Sequence, residues 1–212
     1  MTQPKVNYQK ELDKIIDNLR QSEKKPSLLL HSCCAPCSSY VLEYLCKHFL
    51  ITILYYNPNI SPLAEYEHRK SEQIRLIDSI NSQTAISFLD CDYDGESFEL
   101  IAKGKENIPE GGLRCFDCYE LRLRKTAELA KTHNFDYFTT TLSISPLKNA
   151  QKLNEIGQSL AKEYGILHLP CDFKKNNGYK RSVELSREFN LYRQDYCGCI
   201  YSKIQREKMK NT

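Results

Sequence analysis

No apolar run in the 212 residues approaches the roughly 18 needed to cross a membrane, so no membrane-embedded role is expected. The chain opens MTQPKVNYQKELDK without an apolar leader, which points to a cytoplasmic protein. Internal repeats and low-complexity linkers are also missing. One domain over 1–212 is therefore expected, with residues 1–25 as a helical N-terminal appendage and 172–212 as a C-terminal segment. Strong net charge is missing too, since 30 Lys and Arg against 27 Asp and Glu leave only +3. The charge is uneven: from Lys174 to Thr212 ten basic residues face four acidic ones, which leaves the remainder acidic by three. A basic end suits a polyanion such as nucleic acid, although solvated helix faces account equally well for any one of these charges.

What the chain has is cysteine. Six of its ten cysteines form three tight pairs, Cys33-Cys34, Cys115-x-x-Cys118 and Cys197-x-Cys199, and Cys37 follows three residues after the first pair. In a reducing compartment clustered thiols mean metal or redox chemistry more often than disulfides, and a vicinal pair closes almost no loop. A disulfide-free, metal-binding chain is expected. Thiolate is the soft ligand that iron and zinc accept. Zinc sites pair regular knuckles, whereas CC and CxC bring sulfurs close together and suit a cluster or two adjacent irons better. Four thiolates complete a [4Fe–4S] cluster and leave up to three for a neighbouring metal. Zinc stays open on spacing alone. Cys46, Cys91 and Cys171 fall in helix and strand patterns and read as packing residues.

Helical and extended patterns alternate along the chain. Tyr8, Leu12, Ile15, Ile16 and Leu19 have helical spacing over 8–20. Strands are expected at 27–31, 50–56, 85–91, 136–142 and 166–169. Helices are expected from Pro36 to about His48, over 63–80, from Cys115 to about His133 and over 149–164, with Gly165 as a stop. The stretch 92–112 holds one short helix at most. The C-terminal part is a polar loop and two helical segments broken by Tyr196-Cys197-Gly198-Cys199. The fold class is α/β, a mostly parallel sheet of about five strands flanked by helices. Ligands of such sheets bind beyond the carboxyl ends of the strands, which puts Ser32–Cys37 on the active rim, with the other cysteine pairs folding over to cap that edge.

The strings HSCCAPCS, NPNI followed by EYEHRK, GGLRCFDCYELRLRKTAELA, FTTTLSISPLKN, DFKKNNGYKRSVELS and LYRQDYCGCIYS together resemble the cobalamin-independent, QueH-type epoxyqueuosine reductases. The resemblance runs from His31 to Ser202. It implies an oxidoreductase of tRNA processing that performs the last step of queuosine biosynthesis, reducing epoxyqueuosine to queuosine at the wobble position of tRNA. It further implies a [4Fe–4S] cluster with a second iron nearby, no cobalamin, and an external electron donor. All seven clustered cysteines are then metal ligands. The expected division gives Cys34, Cys115, Cys118 and Cys197 to the cluster and Cys33, Cys37 and Cys199 to the second metal.

Tyr119, Asp172, Asp195 and Tyr196 adjoin the thiols or the strand rim and are candidate catalytic acids, Asp172 slightly favoured; packing is the rival reading for either tyrosine. His31 reads as a satisfied core or supporting histidine rather than a ligand. Arg69, Lys70, Arg114, Lys148, Lys174, Lys175, Lys180, Arg181 and Arg193 are candidate tRNA phosphate contacts, and Tyr179 and Tyr192 candidate stacking platforms. The succession of strand, loop and helix, with a second strand ending in YNPN, also resembles the nucleotide α-hydrolase (HUP-like) architecture. HSCCAPCS lacks the glycines of that fold's pyrophosphate loop, so no ATP use is expected. A non-enzymatic zinc module that binds RNA is the alternative function.

Overall fold

The computed structural model describes residues 6–21, 25–80 and 85–211. Its centre is β1 (Ser27–His31), in which Leu28, Leu29 and Leu30 are wholly enclosed. A strand covered on both faces reads as an unbroken apolar run, and SLLLH does. β2 (Leu50–Tyr55) and β4 (Tyr137–Thr140) pair with β1 on either side, and β3 (Ser87–Asp90) and β5 (Leu167–His168) extend the sheet outward. All pairings are parallel and the order is β3-β2-β1-β4-β5. Chain direction across the sheet therefore reverses between β1 and β4, and their carboxyl ends diverge there into a crevice.

Helices cover both faces. Leu28 and Leu30 meet α1 (Tyr8–Leu19) and α2 (Ala35–Leu45) in one core, joined by Leu12, Ile16, Leu42 and Phe49. Leu29 points the opposite way, as strand alternation requires, into a second core with α5 (Leu113–Thr132) and α6 (Ala150–Tyr164). α3 (Leu63–Ser79) and α7 (Gly178–Glu188) lie against α2, and α4 (Gly95–Ala102) against α5. α8 (Ile200–Lys210) closes the chain.

Local chemistry sets most boundaries. Asn7 and Asn149 accept the N–H groups of Lys10 and Lys152, starting α1 and α6, and Gly165 ends α6 at φ 61°. Pro36 stands in the first turn of α2, where its missing N–H costs nothing. The expected strand 136–142 stops at Thr140. There the Thr140 hydroxyl accepts the Leu142 N–H, and Thr141–Ile144 form a 3₁₀ turn. Among the described residues no helix is long and apolar enough to cross a membrane.

Candidate metal centre

Each cysteine pair lies at a helix N-terminus, where unpaired N–H groups and the helix dipole favour negative sulfur. Cys34 is the N-cap of α2, Cys115 and Cys118 belong to the first turns of α5, and Cys199 is the N-cap of α8.

The first loop leaves β1 at the crevice. The Ser32 and Ser38 hydroxyls meet at 2.6 Å and reach Gln73 Oε1 of α3 at 2.6 and 2.8 Å, while Asn57 Nδ2 donates to Ser32 O. These buried contacts pin both ends of the loop. Cys33, Cys34 and Cys37 then bring their sulfurs within 4.8 Å of one another, with Cys33 Sγ 3.8 Å from Cys34 Sγ and 3.6 Å from Thr141 Oγ1. Cys33 and Cys37 hydrogen-bond to Cys34 and, with Arg69 nearby, pull its thiol well below the usual range. The contact with Cys34 pushes Cys33 up to about 11, and the contacts with Cys33 and Cys34 raise Cys37.

Cys115, Cys118, Cys197 and Cys199 form a second group around one small void. Gly111 N–H donates to Cys115 Sγ at 3.3 Å. Arg114 Nη1 donates to the carbonyls of Lys105, Glu106 and Ile108, and its guanidinium lies over the Tyr201 ring at 4.4 Å, fastening the loop before α5 to α8. Gly198 adopts φ 123°, its carbonyl accepts the Ser61 N–H, and Cys197 O accepts from Arg69 Nη1 at 3.2 Å. Lys148 Nζ lies 3.0 Å from Cys197 Sγ and 2.9 Å from Glu110. Burial pushes Cys118 up to about 12 and raises Cys199. All ten cysteines are free thiols. The groups exchange Cys34 and Cys199 relative to the expected division, because each caps a helix beside its own sequence neighbours.

The donor set fits thiophilic metal. Three sulfurs within 4.8 Å of one another, the Cys33–Cys34 pair at the roughly 3.8 Å expected for tetrahedral metal–sulfur bonds of about 2.3 Å, suit a single ion. The second group wraps a void that also collects buried polar atoms without partners: Asn59 Oδ1, Arg114 Nε, Tyr119 Oη and Arg122 Nη2. Such orphans are rare inside proteins unless something else occupies the space.

Beside both groups opens a cavity of about 610 Å³, within the range of ligand sites. Its wall includes Cys33, Cys37 and Cys197, together with Asp195, Tyr196 and Tyr179. Tyr119 faces the small void instead, and Asp172 is paired with Lys174 at 2.6 Å and lines neither space. Asp195 is paired with Lys210 at 2.5 Å, which holds its carboxyl below the usual range. Burial raises the Tyr196 phenol, whose ring lies 5.0 Å from the Arg69 guanidinium.

The candidate tRNA contacts divide by burial. Arg69, Arg114 and Lys148 are interior residues, 1, 2 and 8 % exposed. Lys70 pairs with Asp90, Arg181 with Glu43 and Glu188, and Tyr192 donates to Glu65 and packs edge-on against His68. Lys175, Lys180, Arg193 and Tyr179 are exposed. His31 is fully buried: its Nε2 lies 3.1 Å from Tyr56 O and its Nδ1 2.8 Å from Thr140 Oγ1, and burial, then Arg122, depress it to about 3. It is a neutral core histidine. Cys46, Cys91 and Cys171 pack into the two cores, Cys171 under the Ser143 and Thr139 hydroxyls.

Arg122 is absent from the residues expected at the site, because a basic residue on a helix reads as solvated until its burial is known. Helical phase was the available signal, since Arg122 stands four residues after Cys118 and seven after Cys115, on the same buried face.

Residues 28–205 match the family model described as epoxyqueuosine reductase QueH. The chain is 42% identical over 209 residues to the epoxyqueuosine reductase QueH of Staphylococcus epidermidis, covering 97% of this chain and 88% of that protein. It is 43% identical over 200 residues to that of Streptococcus pyogenes serotype M1, covering 93% and 78%. With that of Thermotoga maritima it shares 32% identity over 188 residues, covering 86% and 93%. A parallel α/β sheet with thiols gathered at its switch point, and likeness over nearly the whole length, make this chain a member of the epoxyqueuosine reductase QueH family, an oxidoreductase.

Proposed function

We propose that the protein reduces epoxyqueuosine to queuosine at the wobble position of tRNA, using an iron–sulfur cluster and an adjacent iron. The supporting observation is a cavity walled by thiols of both groups, Cys33 and Cys37 from one and Cys197 from the other. A modified base lodged there lies against both. The reaction cleaves both C–O bonds of the epoxide, takes up two electrons and two protons, and yields an alkene and water.

In this reading Cys115, Cys118, Cys197 and Cys199 hold the [4Fe–4S] cluster, and Cys33, Cys34 and Cys37 hold the second iron. When bound, these groups supply electrons from an external donor, one at a time, and a Lewis acid for the epoxide oxygen. The chain supplies the rest. Leu142, Ile144 and Leu147 give the cavity an apolar side. Lys148, braced by Glu110, holds the CxC loop at the cavity edge. Tyr196 Oη keeps its proton at neutral pH and offers it toward the departing oxygen, whereas Asp195 stays ionised beside Lys210. Lys175, Lys180 and Arg193 meet phosphates, and Tyr179 at the cavity stacks on a splayed base.

The test is anaerobic, iron-loaded protein mixed with dithionite and tRNA bearing epoxyqueuosine, followed by nucleoside digestion and mass spectrometry. Brown protein that yields queuosine is the expected result. A fully loaded sample that leaves the epoxide intact defeats the reading, and a colourless zinc protein that still binds RNA favours the zinc-module alternative.

A further inference from the structure

Among the described residues four cations are buried around the thiol groups, and three have evident partners. Arg69 is paired with Glu65 at 2.7 Å, Lys148 with Glu110 at 2.9 Å, and Arg114 is engaged by three carbonyls and a ring. Arg122 is different. It is 1 % exposed, its Nε donates to Cys118 O at 3.1 Å, its Nη2 has no partner, and among the described residues no carboxylate pairs with it. It also borders both spaces, the small void of the second thiol group and the large cavity beside the first.

A guanidinium does not shed its proton in a protein, so this is a fixed positive charge in a region of low dielectric. Burying it unpaired is costly unless negative charge stands close by. Among the described residues, the groups that most favour its charge are the Cys118, Cys197 and Cys33 thiols, followed by the Tyr119 phenol. Burial opposes its charge, and Cys118, Cys197 and Cys33 outweigh that opposition.

We infer that Arg122 is a positioning residue whose fixed charge makes the iron–sulfur group beside it easier to reduce. The inference rests on the reading above that Cys115, Cys118, Cys197 and Cys199 hold a reducible cluster. Each electron passed from the donor to that group adds one unit of negative charge, with no bond made or broken. A nearby cation stabilises the reduced form more than the oxidised one, and net charge and hydrogen bonding at the sulfurs set the potential of such groups.

The test is a dithionite titration of loaded, anaerobic protein, followed by visible absorption and electron paramagnetic resonance. Wild type is compared with Arg122→Lys, which keeps the charge, and Arg122→Gln, which removes it while keeping a donor. At a fixed potential the reduced-to-oxidised ratio of Arg122→Gln is expected to fall at least tenfold, a shift of about 59 mV for one electron. Arg122→Lys stays within threefold of wild type. A loaded Arg122→Gln protein with the wild-type ratio overturns the inference, as does a tenfold shift in Arg122→Lys. If Arg122→Gln does not retain its cluster, Arg122→Lys decides: loading with a near wild-type ratio supports the inference, and failure to load overturns it. A wild-type protein that holds no cluster defeats the functional reading instead, so the two failures are distinguishable.

Discussion

Gly198 shows how much of the site depends on one backbone angle. Its φ of 123° lies where L side chains rarely go, and an added Cβ would stand 2.9 Å from Ile60 Cγ1 and 3.1 Å from Arg69 Nη1. The flanking contacts, Ser61 N–H to Gly198 O and Arg69 to Cys197 O, fix the direction in which Cys197 and Cys199 present sulfur. Gly198→Ala is expected to fold with a loss of about 1–3 kcal/mol, but to bind less than half the iron of wild type in a per-chain assay. Gly104→Ala is the control. Its φ of 77° carries similar strain with nothing within 4 Å, and iron content should be unchanged. Equal iron in both variants would show that the angle does not position the pair. The thiols themselves were legible in the sequence because cysteine is rare and its pairing is visible. Arg69, Arg114 and Lys148 were not, because a basic residue reads as solvated until its burial is known.

At the scale of elements, α6 and β5 meet through a glycine. A Cβ on Gly157 would come within 2.3 Å of His168 Nε2, and that ring already packs against Phe138 at 5.2 Å between centroids. Alanine in a helix is worth about 1 kcal/mol over glycine, yet the imidazole has no open space toward the sheet. The overlap outweighs propensity. Gly157→Ala is therefore expected to destabilise by about 1–3 kcal/mol in denaturant unfolding, and adding His168→Ala should recover part of that loss. A stabilised single variant would mean the ring moves aside freely. The alternation of five strands and their helices was legible from apolar periodicity. The end of β4 was not, because Thr139-Thr140-Thr141 has ideal strand composition and only the Thr140 hydroxyl turns the chain into a 3₁₀ turn. That turn places Thr141 against Cys33, so the misread boundary belongs to the site.

For the whole molecule, the decisive feature is that chain reversal between β1 and β4 opens the crevice into which three distant cysteine pairs are folded. Periodicity gives the strands but not their order, so convergence of the pairs followed only from the general rule for such sheets. The same edge carries exposed cations: Arg193 lines the cavity, and Lys175 and Lys180 flank Tyr179, which lines it too. If these three meet phosphates of a largely single-stranded loop, each contributes about 0.7 to the slope of log affinity against log salt. Replacing all three by glutamine is expected to weaken tRNA binding and to flatten that slope by about two units, measured by fluorescence anisotropy from low to moderate salt. Lys10, Lys14 and Arg20 of α1 and its C-cap provide the comparison, since changing them to glutamine removes the same net charge from another element. A slope that falls equally in both variants would mean that overall charge, rather than the cavity rim, draws the RNA. An unchanged slope in the first would place the phosphate contacts elsewhere on the surface.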